Sequence, residues 1–380
     1  MKYIYLYPLF FSLVLLGCDT ETPLEQEISE FNLVYPAAGN QVANRLMAEA
    51  DGVFIVGTSE SGAQSSILLM RTDINGNTIW SRTIASQQNG EGFGITRLSD
   101  GNLLLVGSQQ VVGNKNVVLI KTDGEGNVLW QKDFGGSESD IGRDVIELQG
   151  GGFMLVGTTS SFGSGIADMY VVRTDANGNL LWQRTFGGGS LDGGSELVQV
   201  DAFSVMLLGF SESFGAGGRD QYLQSVSIEG DSLWSNTYGG QDYEESQGIR
   251  RTDDGGYVFC THSASVDPVH AMLGMKIGPD GSVQWEHHFG ELTTHDGGEG
   301  VLEDADGNLL FVGSSVSFGQ EEQVYLVKTD ATGSVIFERQ FGAEGNQCGN
   351  DIVESSTSYF IAGFSSVAGD SDILLIKQPK

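Results

Sequence analysis

The sequence predicts an all-β toroid: a seven-bladed β-propeller of four-stranded antiparallel blades, closed by pairing of its N- and C-terminal strands. Three observations carry the prediction. A short apolar phrase returns seven times, ending at Gly57, Gly107, Gly157, Gly209, Cys260, Gly313 and Gly363, in steps of 50, 50, 52, 51, 53 and 50 residues. Each unit holds four short apolar or alternating runs separated by Gly, Asn and Asp turn signals. A fourth-strand aromatic recurs at Trp80, Trp130, Trp182, Trp234, Trp285 and Phe337, six landmarks for seven units.

Three segments follow in chain order: a leader over 1–17, an acidic tether over 18–30 and the propeller over 31–380. Lys2 precedes the apolar stretch Tyr3 to Leu16, too short for a membrane span and suited to a secretory h-region. Leu15-Leu16-Gly17-Cys18 resembles the bacterial lipobox. That resemblance implies acyl chains on Cys18 and stable anchoring to a lipid bilayer, since two chains hold where one does not. Asp19, Glu21, Glu25, Glu27 and Glu30 then describe a solvated leash. Acidic residues directly after the lipidated Cys resemble a surface-export signal, whereas Asp at that position resembles the inner-membrane retention signal of enteric bacteria; the outer membrane, facing outward, is the favoured reading.

The unit beginning at Ile141 shows the pattern. Gly142 to Leu148 alternates, Gly152 to Gly157 and Met169 to Asp175 are apolar runs, and Asn179 to Phe186 is the fourth strand. Asp175-Ala-Asn-Gly-Asn179, with counterparts at Asp73, Asp123 and Asp330, reads as a hairpin turn requiring positive φ. Asp51-Gly52, Asp100-Gly101, Asp254-Gly255 and Asp306-Gly307 mark the turn between the first two strands. Phe31-Asn-Leu-Val-Tyr35 reads as a fourth strand with no unit before it, and Ile373 to Lys377 as a third strand with no fourth after it. Pairing them completes the seventh blade and removes both open edges.

Over 31–380 the chain resembles bacterial secreted and lipoprotein propellers with repeats of about 50 residues marked by Gly and Trp. It is also distantly similar to the tryptophan-docking repeat of quinoproteins, whose rings stack between blades. The spacing from Asp73 to Gly76 and Trp80 departs from that repeat, and the quinone enzymes have eight blades and shorter units, so no cofactor is expected.

The net charge of −31 repels phosphate backbones, which excludes nucleic acid as a partner class. The Asp-x-Asn-Gly-Asn segments resemble the start of a calcium loop. Their twelfth positions, Ile84, Phe134, Phe186 and Phe341, lack the required Glu, so they are read as turns and no metal is assigned. Basic residues on the third strand (Arg71, Lys121, Arg173, Lys276, Lys328, Lys377) and fourth strand (Arg82, Lys132, Arg184, Arg339) are expected to pair with the repeated turn Asp. Ser160-Ser-Phe-Gly163, Ser213-Phe-Gly215 and Ser317-Phe-Gly319 either fold each loop over its own blade or offer Phe rings to sugars.

Blade five departs from the repeat. Cys260 is read at the repeated Gly, and all five His fall in or just after this blade. His262, Asp267 and His270 in its long loop, with His295, Asp296 and Glu299 in the next connection, form a candidate ligand or metal site. His287 and His288 are read as structural, and Cys260 and Cys348 as two buried thiols. The resulting expectation is a monomeric, non-enzymatic binding or scaffold lipoprotein whose long-loop face meets a glycan or an envelope protein. Alternatives are a glycan-cleaving hydrolase or lyase using the blade-five histidines, and a structural subunit of an outer-membrane complex. The last rests on resemblance to assembly-factor propeller lipoproteins.

Overall fold

A computed structural model describes residues 29–84, 89–264, 271–290, 296–317, 321–342, 344–367 and 369–380, with the backbone only of 245–247. The leader, Cys18 and most of the tether lie outside these residues. Among the described residues twenty-eight strands form seven four-stranded antiparallel sheets, one per unit of about fifty residues. Six blades are sequential; the seventh has the order 346–354, 358–367, 370–379 and then 31–35 as its outer strand.

Ring closure follows the expected register. Leu33 lies opposite Leu375, and Phe31 opposite Lys377. The same register places Trp80 opposite Arg71, Trp130 opposite Lys121 and Phe337 opposite Lys328, so Phe31 is the seventh aromatic landmark. The Tyr35 hydroxyl donates to the Gly76 carbonyl at 2.6 Å, tying the closing strand to blade one.

The interior is divided into seven apolar clusters, one at each blade interface. Val117, Phe134 and Tyr170 meet between blades two and three, for example, and Leu46, Phe360 and Leu375 between seven and one. Each fully buried Leu, Val or Phe contributes about 1.5–3 kcal/mol, so stability is spread around the ring. Outer strands alternate exposed and half-buried residues, whereas second and third strands are buried along most of their length.

The tryptophans act between blades. A Cβ built on turn residue Gly126 would meet the Trp80 ring of the preceding blade at 3.0 Å, and one on Gly178 would meet Trp130 at 2.8 Å. These glycines also adopt φ of 78° and 75°, so both conformation and space demand Gly. The turn reading holds at atomic detail: Asp73 Oδ1 accepts from the backbone N–H of Asn75 at 2.9 Å and of Asn77 at 2.8 Å.

Four of the six third-strand bases find an Asp, but in the turn between the first and second strands, whereas Arg173 donates to the Gly151 carbonyl at 2.7 Å and Lys377 to that of Ile74 at 3.2 Å. Arg71 pairs with Asp51, Lys121 with Asp100 at 2.6 Å, Lys276 with Asp254, and Lys328 with Asp304 at 2.8 Å. The third strand lies beside the second, so its last side chains reach back over that turn. The fourth-strand bases face the next blade instead, with Arg82 donating to the Glu125 carbonyl at 2.7 Å.

One reading is corrected by register. Six repeated glycines stand where a Cβ would sit well inside contact distance of a first-strand carbonyl, such as that of Ile141 for Gly157. In blade five the residue at that station is Thr261, opposite Ser246; Cys260 is one earlier, at the station of Val156. An apolar run closing on Cys looks like the repeat end in sequence, yet pairing shows that the side chain after it took the place of Gly.

Candidate functional site: a blind funnel on the ring axis

The first strands of the blades, 41–49, 90–97, 140–147, 192–199, 244–251, 296–303 and 346–354, line the axis. Every one carries a register break, such as that between Gly142 and Asp144. A bulge leaves one residue unpaired and re-aims its side chain. The unpaired residues Asn44, Phe93, Arg143, Ser195, Glu299 and Asn350 all line an axial cavity of about 380 Å³. His262, Ser314 and Phe364, from second strands, complete its wall with Cys348 and Glu322, and Arg45 is its floor.

Below the bulges, five charges from blades one, three, four, five and seven close the axis. Arg45 Nη1 is 2.6 Å from Glu196 Oε1, 3.7 Å from Asp351 Oδ1, and its Nη2 is 3.9 Å from Asp144. Arg250 also pairs with Glu196 and lies 3.6 Å from Asp351. Each carboxylate additionally accepts a backbone N–H from the next blade: Asp144 from Leu197 at 3.2 Å, Glu196 from Ile249 at 2.5 Å, and Asp351 from Leu46 at 2.8 Å. The plug thus clasps three interfaces while sealing the channel.

Three carboxylates face two guanidiniums, and burial decides how the surplus negative charge is held. Burial pushes the Asp144 carboxyl up to about 6 against the pull of Arg45, and pushes Asp351 up as well. Glu196 goes the other way: burial would raise it, but Arg250 and Arg45 hold it low. Sequence reading missed this group. Its signal is the triplet of one charge followed by two apolar residues, as in Arg45-Leu-Met, Asp144-Val-Ile, Glu196-Leu-Val and Asp351-Ile-Val.

Of the predicted site residues, His262 and Glu299 come together in the funnel, with Nε2 2.7 Å from Oε1. Asp296 sits elsewhere, at the start of its strand, buried and accepting from the Ser317 hydroxyl at 2.6 Å. Asp267, His270, His295 and Cys18 lie outside the described residues. Among the described residues no group of three His, Cys, Asp or Glu is placed to hold a metal ion.

Two of the three Ser-Phe-Gly loops fold over their own blades, while Phe318 and Gly319 of the third lie outside the described residues. Ser161 donates to Asp140 at 2.8 Å and Ser213 to Asp192 at 2.6 Å, while Phe162 and Phe214 lie 5.7 and 5.8 Å from Tyr170 and Tyr222. His287 stacks on Trp285 at 5.2 Å. Cys260 and Cys348 are buried thiols, and burial pushes both up, which suppresses the reactive thiolate.

No family model and no curated protein matches the sequence. Solved structures do. Puromycin hydrolase aligns at 13% identity and TM-score 0.57 over 88% of this chain, which spans 52% of that one, about half its length. YCF48 bound to D1 peptide aligns at 12% identity and TM-score 0.54 over 93% of this chain and 96% of that one. Sqt1 of Chaetomium thermophilum aligns at 11% identity and TM-score 0.50, covering 86% and 81%. These likenesses show that the chain is a β-propeller; at such identity they carry the fold alone.

Proposed function

We propose that this protein is a binding propeller of the cell envelope, held to the outer membrane through acylated Cys18, whose funnel receives a short segment of a glycan or protein. The observation that carries the reading is the blind funnel itself. The Arg45 plug closes the axis below, leaving a concave site of about 380 Å³ open toward the long-loop face. That size suits one or two sugar or amino-acid units. Asn44, Asn350, Ser195 and the His262–Glu299 pair supply hydrogen-bonding groups, and the Arg143 guanidinium lies 4.3 Å over the Phe93 ring, presenting charge and an aromatic edge together. A broader groove of about 640 Å³ runs over the hairpin tips of blades one and two and the connection into blade three on the same face, beside fully exposed Val112. It offers a partner additional contact area.

One observation favours the hydrolase or lyase reading, the 2.7 Å contact of His262 with Glu299, which is the geometry of an oriented acid–base imidazole. The two readings separate in one set of measurements on the mature protein. Glycan-array binding and photo-crosslinking to envelope protein, compared among wild type, Arg143→Ala and Glu299→Gln, should show retention lost in the first variant with no ligand cleaved by wild type. Ligand turnover by wild type that His262→Gln abolishes would replace binding with catalysis, and unchanged retention in Arg143→Ala would remove the funnel from the function.

A further inference from the structure

The interface between blades four and five carries a second site. On every third strand one station faces the next blade, and it holds Ile67, Val117, Met169, Gln221, Met272, Val324 and Ile373, fixed by pairing with Ile84, Phe134, Phe186, Tyr238, Phe289, Phe341 and Tyr35. Six are apolar. Gln221 is the exception, with no exposed surface, and both its amide nitrogen and its amide oxygen lack a partner. Burying an amide oxygen unsatisfied costs about 1–3 kcal/mol, so its presence at a packing station calls for a donor.

The station it faces holds Tyr170, Tyr222 and Tyr325 in blades three, four and six and a smaller side chain in the others: Leu68, Val118 and Leu374 in blades one, two and seven, and Leu273, paired with His288, in blade five. The smaller side chain opposite an amide leaves a cavity of about 150 Å³, lined by Gln221, Glu244, Ser263, Glu286, Leu273 and Met275 among others. Glu244 is buried and accepts from Ser263 and from the Gly240 N–H, both at 3.1 Å. Glu286 lies on the outer strand at the mouth, its carboxyl held low by His288. Among the described residues no Lys, Arg or His lines the cavity.

We infer that this cavity binds a primary alkylammonium. Two carboxylates and the Gln221 amide oxygen provide three acceptors for three N–H donors, and Leu273 and Met275 provide an apolar wall for a short carbon stem. The volume admits an ammonium with a chain of about four carbons, given that a water occupies about 30 Å³. The same chemistry is presented by a free amine and by a lysine side chain.

The test restores the repeat and therefore spares the fold. Leu273→Tyr introduces the side chain used in three other blades, and Gln221→Met the one used in blade three. Thermal unfolding is followed with butylammonium chloride, tetramethylammonium chloride or sodium chloride at equal ionic strength. Wild type should be stabilised by butylammonium alone, with apparent affinity weakened about tenfold or more in both variants, by loss of a hydrogen bond to a charged group in Gln221→Met and by filling of the cavity in Leu273→Tyr. Nα-acetyl-lysine amide as a further probe assigns the source: stabilisation by it as well points to a partner's lysine, and by butylammonium only to a free amine. No shift in wild type means that the cavity holds water alone and overturns the inference. So does an equal shift with tetramethylammonium, which has no N–H, or an undiminished shift in Leu273→Tyr.

Discussion

Replacing Arg45 with Met tests whether the axial plug is an electrostatic clasp. The guanidinium faces Glu196, Asp351 and Asp144 within 3.9 Å, with only 13% of its side chain exposed. At about 4 Å and an effective dielectric of about 20, each such contact is worth roughly 4 kcal/mol before desolvation, which returns several kcal/mol per ion. Removing one member of a buried set leaves the others uncompensated and costs about 3–5 kcal/mol, here at pH 8, where the carboxylates are ionised. Without Arg45 the folded-state pKa values of Asp144 and Asp351 move further above the unfolded value near 3.9, so the native state binds more protons than the unfolded chain up to those values. Stability of the variant therefore returns as the pH falls, by about 1.4 kcal/mol per unit for each titrating group. Urea unfolding of wild type and Arg45→Met at pH 8 and pH 5 reads this directly. An equal deficit at both pH values, or one below about 1 kcal/mol at pH 8, would refute the clasp.

Two further expectations concern the repeat. Gly157→Ala pushes a Cβ into the Ile141 carbonyl and should cost about 3 kcal/mol, the upper end for over-packing, whereas Thr261→Ala at the equivalent station of blade five should cost about 1 kcal/mol; urea midpoints of the two variants rank them, and equal losses would contradict the register assignment. Asp304 accepts from Lys328 at 2.8 Å and Tyr359 at 2.7 Å; burial would raise its carboxyl, but these donors hold it near pKa 2. Its contribution is present above pH 4 and lost as pH falls through 2, so Asp304→Asn should cost about 1.5–3 kcal/mol at pH 7 and show a shallower loss of stability between pH 4 and 2 than wild type. Parallel acid titrations of the two proteins would speak against that.

Blade number, strand number and the closing pair were legible because they rest on local signals: turn residues, period-two alternation and a count of landmarks that falls one short. Phe31 could be matched to Lys377 in principle from spacing alone. The blade-five station was not legible, since an apolar run ending at Cys260 mimics the repeat and only the opposing strand shows that Thr261 takes the place of Gly. The meeting of His262 with Glu299 was anticipated in kind, as histidine and carboxylate on one face, while Asp296 was drawn instead into holding its own loop through Ser317.

By itself, then, the sequence determined the toroid, because six blades are each specified by hydrogen-bonding and burial patterns within about fifty consecutive residues and the seventh by two incomplete ends that complement each other. Tertiary structure alone decided the funnel, its plug and the cavity beside Gln221. Those features arise where residues from blades far apart in the chain converge on an axis or share an interface. Their energies depend on distances, bulges and desolvation that no local pattern encodes.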